Sequence, residues 1–391
     1  MQSMPDASPT KWHLGHTSWF FETFLLRRAV PGFEPPDERY AYIFNSYYRA
    51  AGDRHPQPRR GLLSRPTLDD TYRYRREIDR SMEAFFSSVP SSRFAEHAFT
   101  IELGLHHEQQ HQELILTDVK HLFAQNPLAP SYRNEPAGPG ASHPPQSSWI
   151  AHAPDSPEVG WSAPQFAFDN ERPRHRVHVD PFEICSRPVS SGHYRRFMED
   201  GGYSRPELWL SDGWDVRERE GWNAPLYWQQ GGEGWTLATL LGRRLLDPAE
   251  PVCHVSYYEA DAFARWAGAR LPLEEEWEIA ASAQEIAGNF LESGKLHPAA
   301  DSHSDRKSLL QMFGDVWEWT ASAYRPYPGY APFPGALSEY NGKFMSGRMV
   351  LRGGSCVTPE GHVRPTYRNF FLPDARWQFS GIRLARWPGS R

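Results

Sequence analysis

The sequence predicts an α + (α+β) chain: a helical N-terminal domain over 1–133, a Pro/Gly/Ser-rich linker over 134–164, and a loop-rich α+β domain over 165–391. Three observations predict it. The first 130 residues or so repeat apolar side chains at helical spacing, with start and stop signals. Pro136 to Pro164 is dense in Pro, Gly and Ser, the composition of an interdomain segment. Beyond it, short β-branched runs alternate with Gly/Pro/Asp loops, as in an α+β domain low in regular structure. A chain of 391 residues also exceeds what one hydrophobic core usually organises.

The first helix is expected from Trp12 to Arg28, behind Ser8 as cap and Pro9 at the first helical position. Trp12, His16, Trp19, Phe20 and Phe24 fall at helical spacing, and Gly15 is the one interior breaker. A Pro-rich span from Pro31 to Pro66 follows, interrupted by the aromatic segment Tyr40 to Tyr48. Thr67, with Asp69 and Asp70 in the first turn, opens a second helix running to about Phe86. A third runs from about Ser92 to Asn126, where Pro127 ends it. In the second half, strands are expected at Val177–Val179, Arg348–Arg352 and Phe379–Ala385, with short helices at Glu259–Ala267 and Glu274–Ala281. Asp315 to Gly342 reads mainly as loop, although Trp317 and Trp319 alternate around Glu318 as a strand or turn packing indoles inward would.

Composition excludes several classes. With 42 Lys+Arg against 48 Asp+Glu, net −6, nothing draws the chain to nucleic acid or an anionic membrane. No apolar run approaches the roughly 20 residues of a spanning helix. The N-terminus lacks the basic and apolar regions of a signal peptide. Cys185, Cys253 and Cys356 are too few and too scattered for a disulfide framework or a CxxC site. A cytoplasmic protein is expected. The 35 Pro and 15 Trp indicate long loops carrying aromatic side chains.

The sharpest chemical signal is His106-His107-Glu108-Gln109-Gln110-His111-Gln112-Glu113. His107 and His111 are four apart on a helix, so both imidazoles leave one face at chelating distance, with Gln110 flanking them. As often as not such a pair is only a polar patch on a solvated helix. A third nitrogen is available on the first helix, where His13 and His16 lie one turn apart and His16 shares the Trp12/Trp19/Phe20 stripe. That favours a metal. Read as HExxH, with Glu108 as general base, the same letters suit a zinc hydrolase. Read as three histidines with open positions, they suit iron(II) and O2. Tyr47 and Tyr48 are most simply packing groups, unless their loop folds over the metal and one phenol donates a proton. In the second half, Arg364, Arg368 and Arg376 with Phe370 and Phe371 suit a cationic or carboxylate-bearing ligand; the plainer reading has them tying long loops down.

Together these segments resemble the iron-dependent sulfoxide synthases of ergothioneine biosynthesis. The HxxxHxE pattern from His107 to Glu113 is similar to a DinB-like helical bundle. Gly314-Asp-Val-Trp-Glu-Trp319 and Arg352-Gly-Gly-Ser-Cys356 mark a domain similar to the formylglycine-generating enzyme, with its C-type-lectin-like fold. Lys11-Trp-His-Leu-Gly-His16, Trp19-Phe-Phe-Glu22 and Trp377-Gln-Phe-Ser-Gly381 complete the likeness, which spans nearly the whole chain. Such bundles normally carry another helix before the segment at Lys11, so three long helices are expected here. The resemblance implies a non-haem iron(II) oxidoreductase that uses O2 to couple a chalcogen donor to C2 of the imidazole of hercynine, the Nα-trimethylated histidine. It implies His16, His107 and His111 as metal ligands and Tyr47 and Tyr48 as proton-donor candidates. Gln110 would seat the substrate imidazole, Asn369 and Phe370 its trimethylammonium end, and Phe371 and Arg376 the donor. Phe371 stands where another branch has Asp, which favours a cysteine-like thiol over γ-glutamylcysteine. Gln57, where a basic residue is expected, leaves open a selenosugar donor and selenoneine as product. Homo-oligomers are compatible with this reading. The rivals are a zinc-dependent DinB-type hydrolase or thiol transferase, a formylglycine-type oxidase, and a non-catalytic binding module.

Overall fold

We describe a computed structural model of the protein over residues 1–134, 143–144, 146–301 and 308–389. The chain forms two compact units. The first takes Met1–Gln125 with Pro164–Phe166 and Pro332–Lys343; the second takes Asn126–Ala163, Ala167–Ala331 and Phe344–Arg391. The division falls after Gln125 because the backbone N–H groups of Tyr132 and Arg133 bond to Leu240 O at 2.8 and 3.3 Å, inside the second unit.

In the first unit, α1 (Thr10–Phe21) runs on through a π-helical turn at Glu22–Leu26 and a last turn at Arg27–Ala29. Its start differs from the expectation. Pro9 precedes the helix and no side chain caps it; the Ser8 hydroxyl instead accepts from Arg60 Nη1 at 2.9 Å. The short α2 (Tyr40–Phe44) lies in the aromatic segment. Helix α3 (Leu68–Ser88) begins with the expected cap: Thr67 Oγ1 accepts from Asp70 N at 3.1 Å, and the Asp70 carboxylate accepts from Thr67 N at 3.0 Å. The 34-residue α4 (Ser91–Ala124) is the expected third helix. Helix α1 is buried nearly all round, from Trp12 to Phe20, because it is the central element between its neighbours. Gly15 permits this: a Cβ there would stand 2.2 Å from the Phe44 ring of α2.

The second unit has helices α5 (Ser191–Glu199), α6 (Ser211–Glu220), α7 (Tyr257–Trp266) and α8 (Glu274–Ala281), the last two close to expectation. Its principal strands are β1 (Trp149–His152), β2 (Phe182–Cys185), β3 (Trp228–Gly231), β4 (Gly234–Thr239), β5 (Gly242–Leu245), β6 (Trp317–Ala323), β7 (Met349–Arg352), β8 (Asn369–Phe371), β9 (Ser380–Gly381) and β10 (Ala385–Arg386). They form sheets ordered β1-β2-β10, β3-β4-β5 and β8-β7-β6-β9.

Four expectations change. The segment taken as linker contains β1, which pairs with β2 from Trp149↔Cys185 to His152↔Phe182; residues 135–142 and 145 of it lie outside the described residues. The strand expected at Val177–Val179 forms two residues earlier, where His175–Arg176 pairs with Glu158–Val159. Burial still alternates through Val179, so the pattern was real but the ladder partner ends sooner. The span expected mainly as loop from Asp315 to Gly342 contains the seven-residue β6. Finally, Phe379–Ala385 is not one strand. Gly381 pairs with Glu318, and Ala385 pairs with Ile184 in another sheet. The chain crosses between sheets where a Cβ on Gly381 would stand 2.7 Å from Val252 O, so that only glycine fits, and where Arg383 enters the core.

Candidate metal centre

Helices α1 and α4 bring His16, His107 and His111 together. One ring nitrogen from each lies within 4.8 Å of the others, and all three residues are buried. On α1 the His16 ring stacks between Trp12 and Trp19, at centroid distances of 4.6 and 5.5 Å. This follows from the i, i+4, i+7 spacing of the three residues. His16 Nδ1 donates to Phe44 O at 2.6 Å, which leaves the Nε2 lone pair facing His107 Nε2, 3.0 Å away. Phe20 covers the His107 ring at 4.6 Å.

Burial governs the electrostatics. It pushes the basicity of His16 and His111 well below that of a free imidazole, helped by the neighbouring histidines and by Arg60. His107 is pushed down to about 3, by burial first and then by His13. Three neutral imidazoles with converging lone pairs are the form that ligates a first-row divalent metal. The fit has a second sign: His107 Nδ1 is buried without a hydrogen-bond partner among the described residues, and a ring so placed has only Nε2 to engage anything.

The other motif residues sort themselves around this cluster. Glu108 pairs with Arg75 at 2.8 Å on a half-buried face, so the zinc-hydrolase reading loses its general base. His106 stacks on Phe166 at 4.4 Å. Tyr48 is fully buried, with its ring 4.6 Å from Tyr47 and 6.4 Å from Tyr340. Burial and these two phenols raise its hydroxyl pKa well above the usual value. Asn45 holds the loop, accepting from Tyr48 N at 3.0 Å and donating to Tyr48 O at 2.9 Å. Gln110 Oε1 accepts from Tyr340 Oη at 2.5 Å, and the Tyr340 ring lies 6.0 Å from His107.

Sequence reasoning missed Tyr340. It lies over 200 positions beyond the histidine motif, in the Pro332–Lys343 segment that belongs to the helical unit. The segment is tied to the tyrosine loop by Glu339, which accepts from Ala50 N at 2.7 Å, and by Lys343, which donates to Tyr47 O. Asp118 was given no role and His13 was weighed only beside His16 as a source of the third nitrogen, though His13 Nδ1 lies 2.8 Å from His111 Nδ1 and its Nε2 lies 3.0 Å from Asp118 Oδ2. Helical spacing carried that signal: His13 is one turn before His16, and Asp118 two turns after His111.

The remaining candidates lie in the second unit. Asn369 Oδ1 accepts from the next backbone N–H, that of Phe370, at 2.9 Å. Phe370 stacks on Tyr324 at 4.1 Å, and Phe371 meets Trp377 edge-on at 5.1 Å. Arg376, expected beside the donor, is ion-paired with Glu259 at 2.7 Å and lies over Trp222 at 4.3 Å. Arg364 and Arg368 pair with Glu171 and Glu274, so all three arginines do tie loops down. Gln57 Nε2 donates to Asp6 O at 2.7 Å. Cys185, Cys253 and Cys356 are buried and outside any disulfide. Among the described residues no helix is long and apolar enough to cross a membrane.

Comparisons with known proteins agree with this architecture. Residues 154–308 and 295–388 match the sulfatase-modifying factor enzyme 1-like domain. A formylglycine-generating enzyme of Thermomonospora curvata is 27% identical, over 57% of this chain and 88% of its own. Ergothioneine biosynthesis protein 1 of Schizosaccharomyces pombe is 28% identical, over 56% of this chain and 28% of its own. Similarity extends through the helical unit in the hercynine oxygenase of Mycolicibacterium smegmatis, 33% identical over 98% of this chain and 92% of the relative. Similarity to the hercynine oxygenases thus runs along almost the entire length, through the helical unit as well as the sulfatase-modifying-factor-like domain, and the chain belongs to the hercynine oxygenase family.

Proposed function

We propose that the protein is a non-haem iron(II) enzyme that uses O2 to join a cysteine-like thiol to imidazole C2 of hercynine, as a sulfoxide. The observation that carries the reading is the buried triad of neutral imidazoles from His16, His107 and His111. Three imidazoles suit zinc and iron(II) alike. Family membership favours iron, because an oxygenase needs a metal that changes oxidation state and zinc does not.

The overall balance is self-contained. One C–H and one S–H bond are lost, a C–S and an S=O bond form, and the second oxygen leaves as water. O2 therefore accepts all four electrons and no external reductant is required. Bound iron(II) would supply the electron transfer that lets O2 react. The chain's own residues position and protonate. Gln110, its carbonyl fixed by the Tyr340 hydroxyl and one helical turn or less from both His107 and His111, would seat the substrate imidazole. Tyr48 is our proton donor: its raised pKa keeps the phenol protonated until it is needed. Tyr47 is the alternative donor. On the second unit, Phe370, stacked on Tyr324 at 4.1 Å with Phe344 at 5.7 Å, belongs to an aromatic cluster of the kind that attracts a quaternary ammonium, and Asn369, Phe371 and Arg376 stay candidates beside it. The pairing of Gln57 with Asp6 gives no support to a neutral sugar-binding role for that residue, so a thiol is the preferred donor.

The test is a competition assay. Protein reconstituted with iron(II) receives hercynine, O2, cysteine, γ-glutamylcysteine and a selenosugar in one vessel, read by mass spectrometry. A hercynine–cysteine sulfoxide is expected. A selenium adduct would replace the donor assignment, and no adduct from any donor would return the protein to the zinc or binding-module readings. Tyr48→Phe should keep iron and shift the products from coupled sulfoxide towards oxidised thiol.

A further inference from the structure

Beside the three imidazoles the helical unit buries a second polar chain that the proposed reaction does not use. Asp118 Oδ2 accepts from Ser8 N at 2.8 Å and faces His13 Nε2 at 3.0 Å. His13 Nδ1 in turn faces His111 Nδ1 at 2.8 Å. All four residues are buried. Arg60, which bonds to Ser8 Oγ at 2.9 Å and covers the Trp12 ring at 3.4 Å, adds a positive charge on the same side.

The order of donors and acceptors along this chain follows from what each atom can do. Asp118 Oδ2 is already an acceptor for the Ser8 N–H, so the His13 contact is a hydrogen bond when His13 Nε2 carries the proton. A neutral imidazole has one N–H and one lone pair, so His13 Nδ1 is then an acceptor. His111 Nδ1 must donate to it, and His111 Nε2 is left with its lone pair free. The opposite order would aim the His13 Nε2 lone pair at a carboxylate oxygen and put a proton on His111 Nε2, where it would block ligation. His16 reaches the same state by another route, with its Nδ1 proton on Phe44 O. His107 Nδ1 has no such partner among the described residues.

We infer that His13, oriented by Asp118, is a positioning residue that fixes the tautomer and ring angle of His111 and so presents its Nε2 to the metal. The inference rests on the reading of His16, His107 and His111 as ligands. Carboxylate–histidine pairs behind a ligating imidazole typically change metal affinity about 10–100-fold when removed.

The test uses the full-length, metal-free protein titrated anaerobically with iron(II) against a chromophoric chelator, with the electron paramagnetic resonance spectrum of the nitric oxide adduct as a second readout. His13→Gln should weaken iron(II) binding by roughly 10–100-fold and alter the rhombicity of that spectrum. Asp118→Asn, which keeps the shape and removes the charge, should fall between this variant and the wild type. His106→Gln, on the face packed against Phe166, should bind as the wild type does. Melting of the metal-free proteins separates positioning from folding. The inference is overturned if His13→Gln and Asp118→Asn bind iron(II) with wild-type affinity and spectrum, or if affinity falls only in step with metal-free melting temperature. If instead the wild type takes up no iron(II), or His111→Ala binds as tightly as the wild type, it is the ligand reading that fails.

Discussion

The two units bury polar side chains in opposite ways. In the second, each buried guanidinium near the core meets a carboxylate. Arg383 pairs with Glu318 at 2.8 Å and donates to the carbonyls of Cys185, Leu310 and Gln311. Arg352 and Arg368 share Glu274, at 2.9 and 2.8 Å. Burial alone would raise Glu274, but the two guanidiniums overcome it and hold the carboxyl below its usual range. In the helical unit three imidazoles face one another, and burial drives each away from protonation. The first arrangement is nearly closed: carboxylates and guanidiniums neutralise one another, and of the groups just named only Arg352 Nε lacks a hydrogen-bond partner among the described residues. The second is open, because converging lone pairs repel until a cation stands among them. Buried polarity alone therefore does not mark a site, while an unmatched set of acceptors does.

Four substitutions sharpen or break this contrast. The largest effect belongs to the open set. His107→Ala should lose iron(II) binding and product together while retaining a wild-type far-UV circular dichroism spectrum, since the imidazole pairs with no carboxylate. Retained activity would remove the contrast altogether. Next is the closed set. Arg383→Ala leaves the buried Glu318 carboxyl without its cation, held only by the Trp277 indole N–H at 2.6 Å; this costs about 3–5 kcal/mol and should appear as a lower denaturant midpoint. Replacing both partners by apolar residues of similar size should recover much of that loss, because the pair acts as structure rather than as a binding group.

The third effect is smaller. Gly15→Ala drives a methyl into the Phe44 ring, and overpacking of this kind costs about 1–3 kcal/mol. Phe44 O is also the acceptor for His16 Nδ1, so weaker iron(II) affinity should accompany the lower melting temperature. A stability loss with unchanged affinity would show that the carbonyl does not set the ring. The smallest effect is expected from Tyr340→Phe. Losing one hydrogen bond to Gln110, worth about 0.5–1.5 kcal/mol, should raise the hercynine KM several-fold and leave iron(II) binding unchanged.

Much of the helical unit was legible because its signals are local. The Thr67–Asp70 cap, the i, i+4 spacing of His107 and His111, and the aromatic stripe of α1 all act within two turns of helix, where sequence distance and spatial distance agree. The second unit was read less well for the converse reason. Its strands are short, and their ends depend on partners far along the chain. Val177–Val179 kept its alternation but not its ladder, and Phe379–Ala385 divided between two sheets because Arg383 had to reach Glu318. Glu274–Ala281 was placed well: three consecutive acids at a helix N-terminus are a local signal too.

By itself the sequence determined the helix that carries two imidazoles on one face, the partner helix that offers a third, and the family to which both belong, since helical periodicity and motif order are properties of the chain. Tertiary structure decided which groups surround that triad. Tyr340 reaches Gln110 from a segment that folds back onto the helical unit, Phe44 lends its carbonyl to His16, and Asp118 selects the protonated nitrogen of His13. Each of these choices depends on a hydrogen bond closing between residues distant in sequence, and a bond of that kind exists only once packing has brought its donor and acceptor within about 3 Å.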